Sequence, residues 1–187
     1  KLRRYAEALE SYDALAILEP AFAEAHNNRG AILYELGRFE EAVCSHATAI
    51  HLKPAFIDAH LNYGAALTRL GRNEEALASY RSCLTLDPAD TRALSNGGVT
   101  LRELGRHEEA LQYCARALSL DPVDPGCLLN LGNTLRDMHR HEEALLVYDR
   151  AITLRADYAD AFYNRGNALK AMNRLCPAWQ SRLLRWI

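Results

Sequence analysis

The chain has 187 residues, of which 49% are apolar and 25% charged, a balance typical of a folded protein rather than a disordered one. Lysine and arginine total 22 against 24 aspartate and glutamate, so the near-neutral charge argues against a nucleic-acid-binding surface, which needs clustered positive charge. The apolar runs are far shorter than the roughly 20 residues that cross a bilayer, so no membrane-spanning helix is predicted.

The five cysteines are odd in number and lack C-x-x-C spacing, which argues against a closed set of disulfides. We expect reduced thiols packed among apolar residues. No secretory leader follows Lys1. A cytoplasmic location is therefore expected, with secretion left open because the chain can be a piece of a longer protein.

A period of 34 residues organises the chain. The residues that recur at this interval are Pro20, Pro54, Pro88 and Pro122; Gly30, Gly64, Gly98, Gly132 and Gly166; and Ala8, Ala42, Ala76, Ala110, Ala144 and Ala178. The period predicts a single repeat domain over 1–187. It comprises a partial unit with only a second helix at 1–22, full units at 23–56, 57–90, 91–124 and 125–158, and a partial unit with a divergent last helix at 159–187.

Within each unit, apolar residues recur at intervals of three and four, which predicts two helices and no strand. Gly37, Gly71 and Gly105 are predicted to end first helices in the left-handed conformation. His139 and Asn173 take that place in the later units, and some backbone strain is expected at His139.

Acidic pairs are predicted to lie in the first turn of each second helix, where they complement the helix dipole. These pairs are Glu40 and Glu41, Glu74 and Glu75, Glu108 and Glu109, and Glu142 and Glu143. Asp90 and Asp124 are predicted to cap first helices, with Pro125 at a first helical position.

The small residues at the Gly30 and Ala42 positions allow two antiparallel helices to approach closely. Tyr12, Tyr80 and Tyr148 are predicted to fill the space beside them, as core residues rather than as a cofactor site.

With these residues in place, the chain resembles the tetratricopeptide repeat family from residue 1 to about 175. In one unit the signature is carried by Gly64, Ala76, Tyr80, Cys83 and Pro88. The family's tryptophan at the fourth repeat position is replaced by His26, His60, Leu94, Leu128 and Phe162. Its leucine at the seventh position is replaced by Arg29, Tyr63, Gly97 and Arg165, and only Leu131 keeps that leucine. The resemblance implies an all-α fold, a right-handed α-solenoid or superhelix of about 11 helices. It also implies that the first helices line a concave groove in which partners bind.

Asparagine stands at the sixth position of every unit that has this position: Asn28, Asn62, Asn96, Asn130 and Asn164. A helix turns by about 100° per residue, so the sixth position points nearly opposite the glycine at the eighth and should face the groove. An amide donates and accepts hydrogen bonds, so a row of amides can bind the backbone of an extended peptide. The alternative is that repeat duplication copied one solvated residue.

Further polar residues complete the predicted peptide-binding groove: Arg69, Arg102, Arg136, Lys170, Asn133 and Asn167. The basic ones favour an acidic or polar peptide, although a solvated arginine face is equally compatible with the pattern. The row resembles the asparagine array of O-linked N-acetylglucosamine transferases and asparagines of chaperone-binding relatives. The lysine and asparagine clamp that the resemblance implies for carboxylate-tail binders is incomplete here.

No P-loop, dinucleotide fingerprint or G-x-S-x-G elbow occurs, and the seven histidines lack metal-ligand spacing. We therefore predict no catalytic residue, no cofactor and no metal site. The predicted function is a scaffold that binds a partner protein or extended peptide. The alternatives are a repeat arm of a larger enzyme such as an O-GlcNAc-transferase-like glycosyltransferase, or self-association through the chain ends.

Overall fold

A computed structural model describes residues 2–172, and every regular element in this part of the chain is an α-helix. In chain order they are α1 (Leu2–Leu18), α2 (Ala23–Glu35), α3 (Phe39–Leu52), α4 (Ile57–Arg69), α5 (Asn73–Leu86), α6 (Thr91–Glu103), α7 (His107–Leu120), α8 (Pro125–Asp137), α9 (His141–Leu154) and α10 (Ala159–Ala171). The predicted eleventh helix, within Cys176 to Ile187, lies outside the described residues. No helix among those described is both long and apolar enough to cross a bilayer.

The chain divides into two compact units, Lys1–Leu104 and Gly105–Ile187. In the first unit each helix from α1 to α6 packs against the next as an antiparallel neighbour, and α4 also contacts both α2 and α6. The first helices α2, α4 and α6 therefore form one layer. In the second unit α7 to α10 pack in the same consecutive manner, and α8 contacts α10. This arrangement confirms the predicted all-α fold of antiparallel helix pairs.

The turns between the paired helices have the predicted left-handed residue. The φ angles of Gly37, Gly71 and Gly105 are +76°, +72° and +73°. After α2, the N–H of Gly37 donates to the carbonyl of Tyr34 and the next N–H donates to Leu33, a Schellman motif that satisfies the last carbonyls of the helix. His139 adopts the same conformation with φ +59°, as predicted, while Asn173 lies outside the described residues.

Strain at His139 leads to a stability prediction. A side chain in the left-handed region costs roughly 1 kcal/mol more than glycine there. We expect His139→Gly to raise the free energy of unfolding by about 1 kcal/mol over His139→Ala, although alanine is otherwise the better helix former. Urea unfolding of the two variants, both of which lack the imidazole, measures the difference. Equal stability of the two would contradict the strain argument.

The helix starts show what the acidic residues do. Asp90 accepts hydrogen bonds from the backbone N–H groups of Arg92 and Ala93, and Asp124 accepts one from Gly126, so both predicted caps are confirmed. Burial alone would raise the pKa of Asp90, but the hydrogen bonds from the Arg92 side chain and from Ala93 outweigh it and lower the pKa. Asp90 therefore stays ionised at neutral pH.

The acidic pairs lie in the first turns of α3, α5, α7 and α9, as predicted. The structure adds a contact that the sequence interpretation missed, because the second glutamate of each pair binds the arginine that precedes its helix. The pairs are Arg38 with Glu41, Arg72 with Glu75, Arg106 with Glu109, and Arg140 with Glu143. They are largely exposed, so each contributes little to stability.

The core confirms the structural role of Tyr80 and Tyr148, which are 2% and 0% exposed. A Cβ atom added to Gly64 would lie 2.6 Å from the Tyr80 ring, so only glycine permits this helix approach. Gly132 has the same relation to Tyr148. Tyr12 is half-buried.

Arginine at the seventh repeat position has a packing explanation. Arg29 Nε donates to Asp13 Oδ1 at 2.6 Å, and Arg165 Nε donates to Asp149 Oδ1 at 2.5 Å. Each contact joins a first helix to the second helix of the preceding repeat. The leucine expected from the family signature is thus replaced at both places by an ion pair between repeats.

Candidate functional site

Two adjoining pockets open along the layer of first helices in the first unit. The one we call the His46 pocket has a volume of about 250 Å³ and is lined by Ala31, Tyr34, Glu35, His46, Asn62 and Ala65. The Tyr80 pocket, of about 170 Å³, is lined by Tyr34, Ala65, Thr68, Arg69, Tyr80, Asn96, Val99 and Thr100. The two pockets share Tyr34 and Ala65, so they lie side by side, and we call them together the first-unit groove.

The groove contains two members of the predicted asparagine row. Asn62 lines the His46 pocket and Asn96 lines the Tyr80 pocket. One N–H of the Asn62 amide is committed to Asn27, whose Oδ1 lies 3.1 Å from Asn62 Nδ2. Asn28 lies on α2 with an exposed side chain, outside both pockets. The row is therefore accessible in this unit, but its members are not equivalent.

Arg69, at the end of α4, lines the Tyr80 pocket and contacts two aromatic rings. Its guanidinium carbon lies 4.5 Å from the centre of the Phe39 ring and 5.8 Å from that of Tyr34. The two rings pack edge to face, with centres 5.3 Å apart. Cation–π contacts of this kind attract and orient an arginine. Arg102, on α6 in the same unit, is half-buried.

In the second unit, several predicted site residues are engaged within the protein. Arg136 Nη1 donates to Asn164 Oδ1 at 3.0 Å, so the structure brings these two predicted residues together across α8 and α10. Asn133 Oδ1 accepts a hydrogen bond of 2.9 Å from the hydroxyl of Tyr148, a core residue. The remaining predicted residues of this unit are Asn130 and Asn167, which are half-buried, and Lys170, which is exposed.

The sequence interpretation missed His46, which stands where other units have Tyr80 or Tyr148. His46 is 0% exposed, and its ring covers Gly30 as the tyrosine rings cover their glycines. Its Nδ1 lies 3.1 Å from Asn27 Oδ1. Burial lowers the pKa of His46 to about 4, so the ring is neutral at pH 7. Only the repeat register could have pointed to His46 from the sequence, because this histidine occupies a repeat position that holds tyrosine in other units.

Two other histidines, His26 and His60, contact backbone carbonyls. His26 and His60 contact the carbonyls of Pro20 and Pro54 through Nε2, at 3.0 and 2.9 Å, and so tie each first helix to the turn before it. Within residues 2–172, no three His, Cys, Asp or Glu side chains are grouped closely enough to hold a metal ion.

Family models and solved structures both match this chain. A model described as a tetratricopeptide repeat matches residues 1–55, 45–91 and 66–125, and another described as a TPR repeat matches residues 132–173. Neither is specific to the repeats of O-linked N-acetylglucosamine transferases. No curated protein matches the sequence significantly.

The solved structures include YrrB, a TPR protein with an unusual peptide-binding site, at 21% identity and a TM-score of 0.71 over 88% of this chain and 85% of YrrB. A MamA segment from Desulfovibrio magneticus RS-1 matches at 24% identity and a TM-score of 0.77, over 84% and 90% of the two chains. A tetratricopeptide repeat protein from Parabacteroides merdae ATCC 43184 matches at 22% identity and a TM-score of 0.83, over 91% of this chain and 68% of that protein. At these identities the likeness shows the fold, an α-solenoid. The chain belongs to the tetratricopeptide repeat family.

Proposed function

We propose that the chain is a scaffold that binds an extended, polar segment of a partner protein along its first helices. The observation that carries the proposal is that Asn62 and Asn96 each line one of two adjoining pockets that share a wall. Equivalent amides one repeat apart can hydrogen-bond successive stretches of one peptide backbone.

The chemistry of the groove suits a peptide better than a compact small molecule. Both pockets are open and modest in volume, and their shared wall combines the Tyr34 ring with the methyl group of Ala65. Such a surface packs against side chains while the amides bind the backbone. In the second unit, the predicted site residues Asn130 on α8 and Asn167 and Lys170 on α10 are also polar.

The test begins with selection of short random peptides on the immobilised chain. The affinity of a selected peptide is then compared for the wild type and the double variant Asn62→Ala, Asn96→Ala. Loss of two amide hydrogen bonds of about 1 kcal/mol each is expected to weaken binding about thirtyfold. Fluorescence anisotropy with the labelled peptide measures this change.

The matched control is Gln112→Ala, which removes an exposed amide from the second helix α7 and should leave the affinity unchanged. Asn96→Ala alone is the cleaner single variant, because Asn62 also bonds to Asn27. Circular dichroism verifies that each variant is folded. An unchanged affinity in the double variant would remove the asparagine row from the binding surface.

A second candidate is the substrate-binding arm of a larger enzyme, similar to the O-GlcNAc transferases. The asparagine in every unit that has the sixth position favours it, because such an array can hold many different substrate segments by their backbones. The sequence of the full gene distinguishes the two candidates, since only the second requires a catalytic domain.

A further inference from the structure

The first-unit groove contains two charges, Arg69 and Glu35, that form no ion pair within the described part of the chain. Most described arginines form ion pairs, as Arg29 does with Asp13. Arg69 contacts the Phe39 and Tyr34 rings instead, and it forms no ion pair with any residue between 4 and 172. Glu35, which lines the other pocket, is likewise outside the ion pairs of this stretch.

Contacts with two aromatic rings restrain the Arg69 side chain before any ligand arrives. An unconstrained arginine loses side-chain entropy when it binds an anion, whereas stacking on two packed rings has already restricted Arg69. The planar guanidinium can present two parallel N–H donors to a carboxylate. The Asn96 amide lines the same pocket, so the Tyr80 pocket offers both a cation and a neutral donor.

The His46 pocket has a negative charge, that of Glu35, where the Tyr80 pocket has the positive charge of Arg69. Asn27 Oδ1 accepts from Asn62, and we assign the His46 contact in the same sense, with the proton on Nδ1. The Nε2 atom then carries a lone pair, and it is buried without a hydrogen-bond partner in the described chain. Glu35 is exposed at this pocket, and one of its oxygens accepts only a long hydrogen bond of 3.3 Å from the Tyr5 hydroxyl. Because the His46 Nε2 atom is closed off from solvent, Glu35 is the charged group that the pocket presents to a ligand.

We propose that the first-unit groove selects peptides by a pair of opposite charges, with a basic side chain in the His46 pocket and an acidic side chain in the Tyr80 pocket. This inference rests on the proposed peptide-binding function. The aliphatic stem of a lysine would pack on Ala31 and Ala65 while its ammonium group faces Glu35. A peptide bound in the reverse direction would place like charges together, so the pair also sets the orientation.

The test uses the peptides selected on the wild-type chain. Sequencing is expected to show a lysine or arginine and an aspartate or glutamate a few residues apart, in one constant order. Replacing the acid of the best peptide with its amide should weaken binding to the wild type about tenfold. The same replacement should have little effect on binding to Arg69→Gln, because the partner charge is already gone.

Reversing the two charges of the groove gives a sharper test. Selection on the double variant Glu35→Lys, Arg69→Glu should return peptides with the order of acid and base exchanged. Arg81→Gln, an exposed arginine on the second helix α5, serves as the control and should retain the wild-type order. Unfolding midpoints of all variants exclude misfolding as the cause.

The outcomes separate the two proposals. Peptides that lose affinity with the asparagine substitutions but show no charge pair, or an order unaltered by the reversal, would overturn the charge selection and leave the proposed function standing. A failure to select any peptide, or selected peptides insensitive to the asparagines, would overturn both.

Discussion

Replacing Tyr148 with alanine is expected to lower the free energy of unfolding by about 3–5 kcal/mol, the usual cost of removing a large aromatic side chain from a core. Tyr148 is 0% exposed and lies between α8 and α9, with its ring against Gly132. Urea unfolding followed by circular dichroism measures the loss.

The variant Tyr148→Phe is the matched control. It keeps the ring but removes the hydroxyl that donates to Asn133, so a cost of about 1 kcal/mol is expected. Asn133→Ala should cost a similar amount and should not add to the effect of Tyr148→Phe. Full additivity would contradict the hydrogen bond, and a mild effect of Tyr148→Ala would contradict the close packing.

Replacing Gly64 with alanine is expected to lower the free energy of unfolding by about 1–3 kcal/mol, although alanine is the better helix former. The new methyl group would lie 2.6 Å from the Tyr80 ring, which is itself buried. Either α4 and α5 must separate or the ring must leave its preferred rotamer. Thermal unfolding measures the decrease.

Gly166 provides the control at the same repeat position. A Cβ atom there would meet no described atom within 4 Å. Gly166→Ala is therefore expected to raise the free energy of unfolding by about 0.5–1 kcal/mol, through the lower backbone entropy of alanine in the unfolded chain. The two equivalent substitutions should thus differ in sign. A stabilising Gly64→Ala would mean that the tyrosine ring adapts readily.

The proposed charge selection gives the groove a polarity that the asparagines alone cannot give. Backbone hydrogen bonds to amides are nearly the same for a peptide in either direction, whereas Glu35 and Arg69 distinguish its two ends. Because both side chains are exposed, their contribution should weaken as the ionic strength rises. The amide contribution should persist at high salt.

Local features of the molecule could be predicted from the sequence because they depend on neighbours a few residues away. The left-handed turns at Gly71 and His139 follow from the helix stop that any chain needs. The caps at Asp90 and Asp124 follow from the short reach of an aspartate to the next turn. The asparagine row required only the register of the repeat and the pitch of a helix.

The sequence by itself therefore determined the repeat and the helix pairs, and it placed an asparagine at the same position of successive first helices. Only the tertiary structure decided which amides are used internally: Asn62 binds Asn27, 35 residues away, and Arg136 binds Asn164, 28 residues away. It also decided that Arg69 stacks on Phe39. The physical reason is range, since such contacts depend on how closely separate helices pack, and a packing distance is a property of the folded layers rather than of any local stretch of residues.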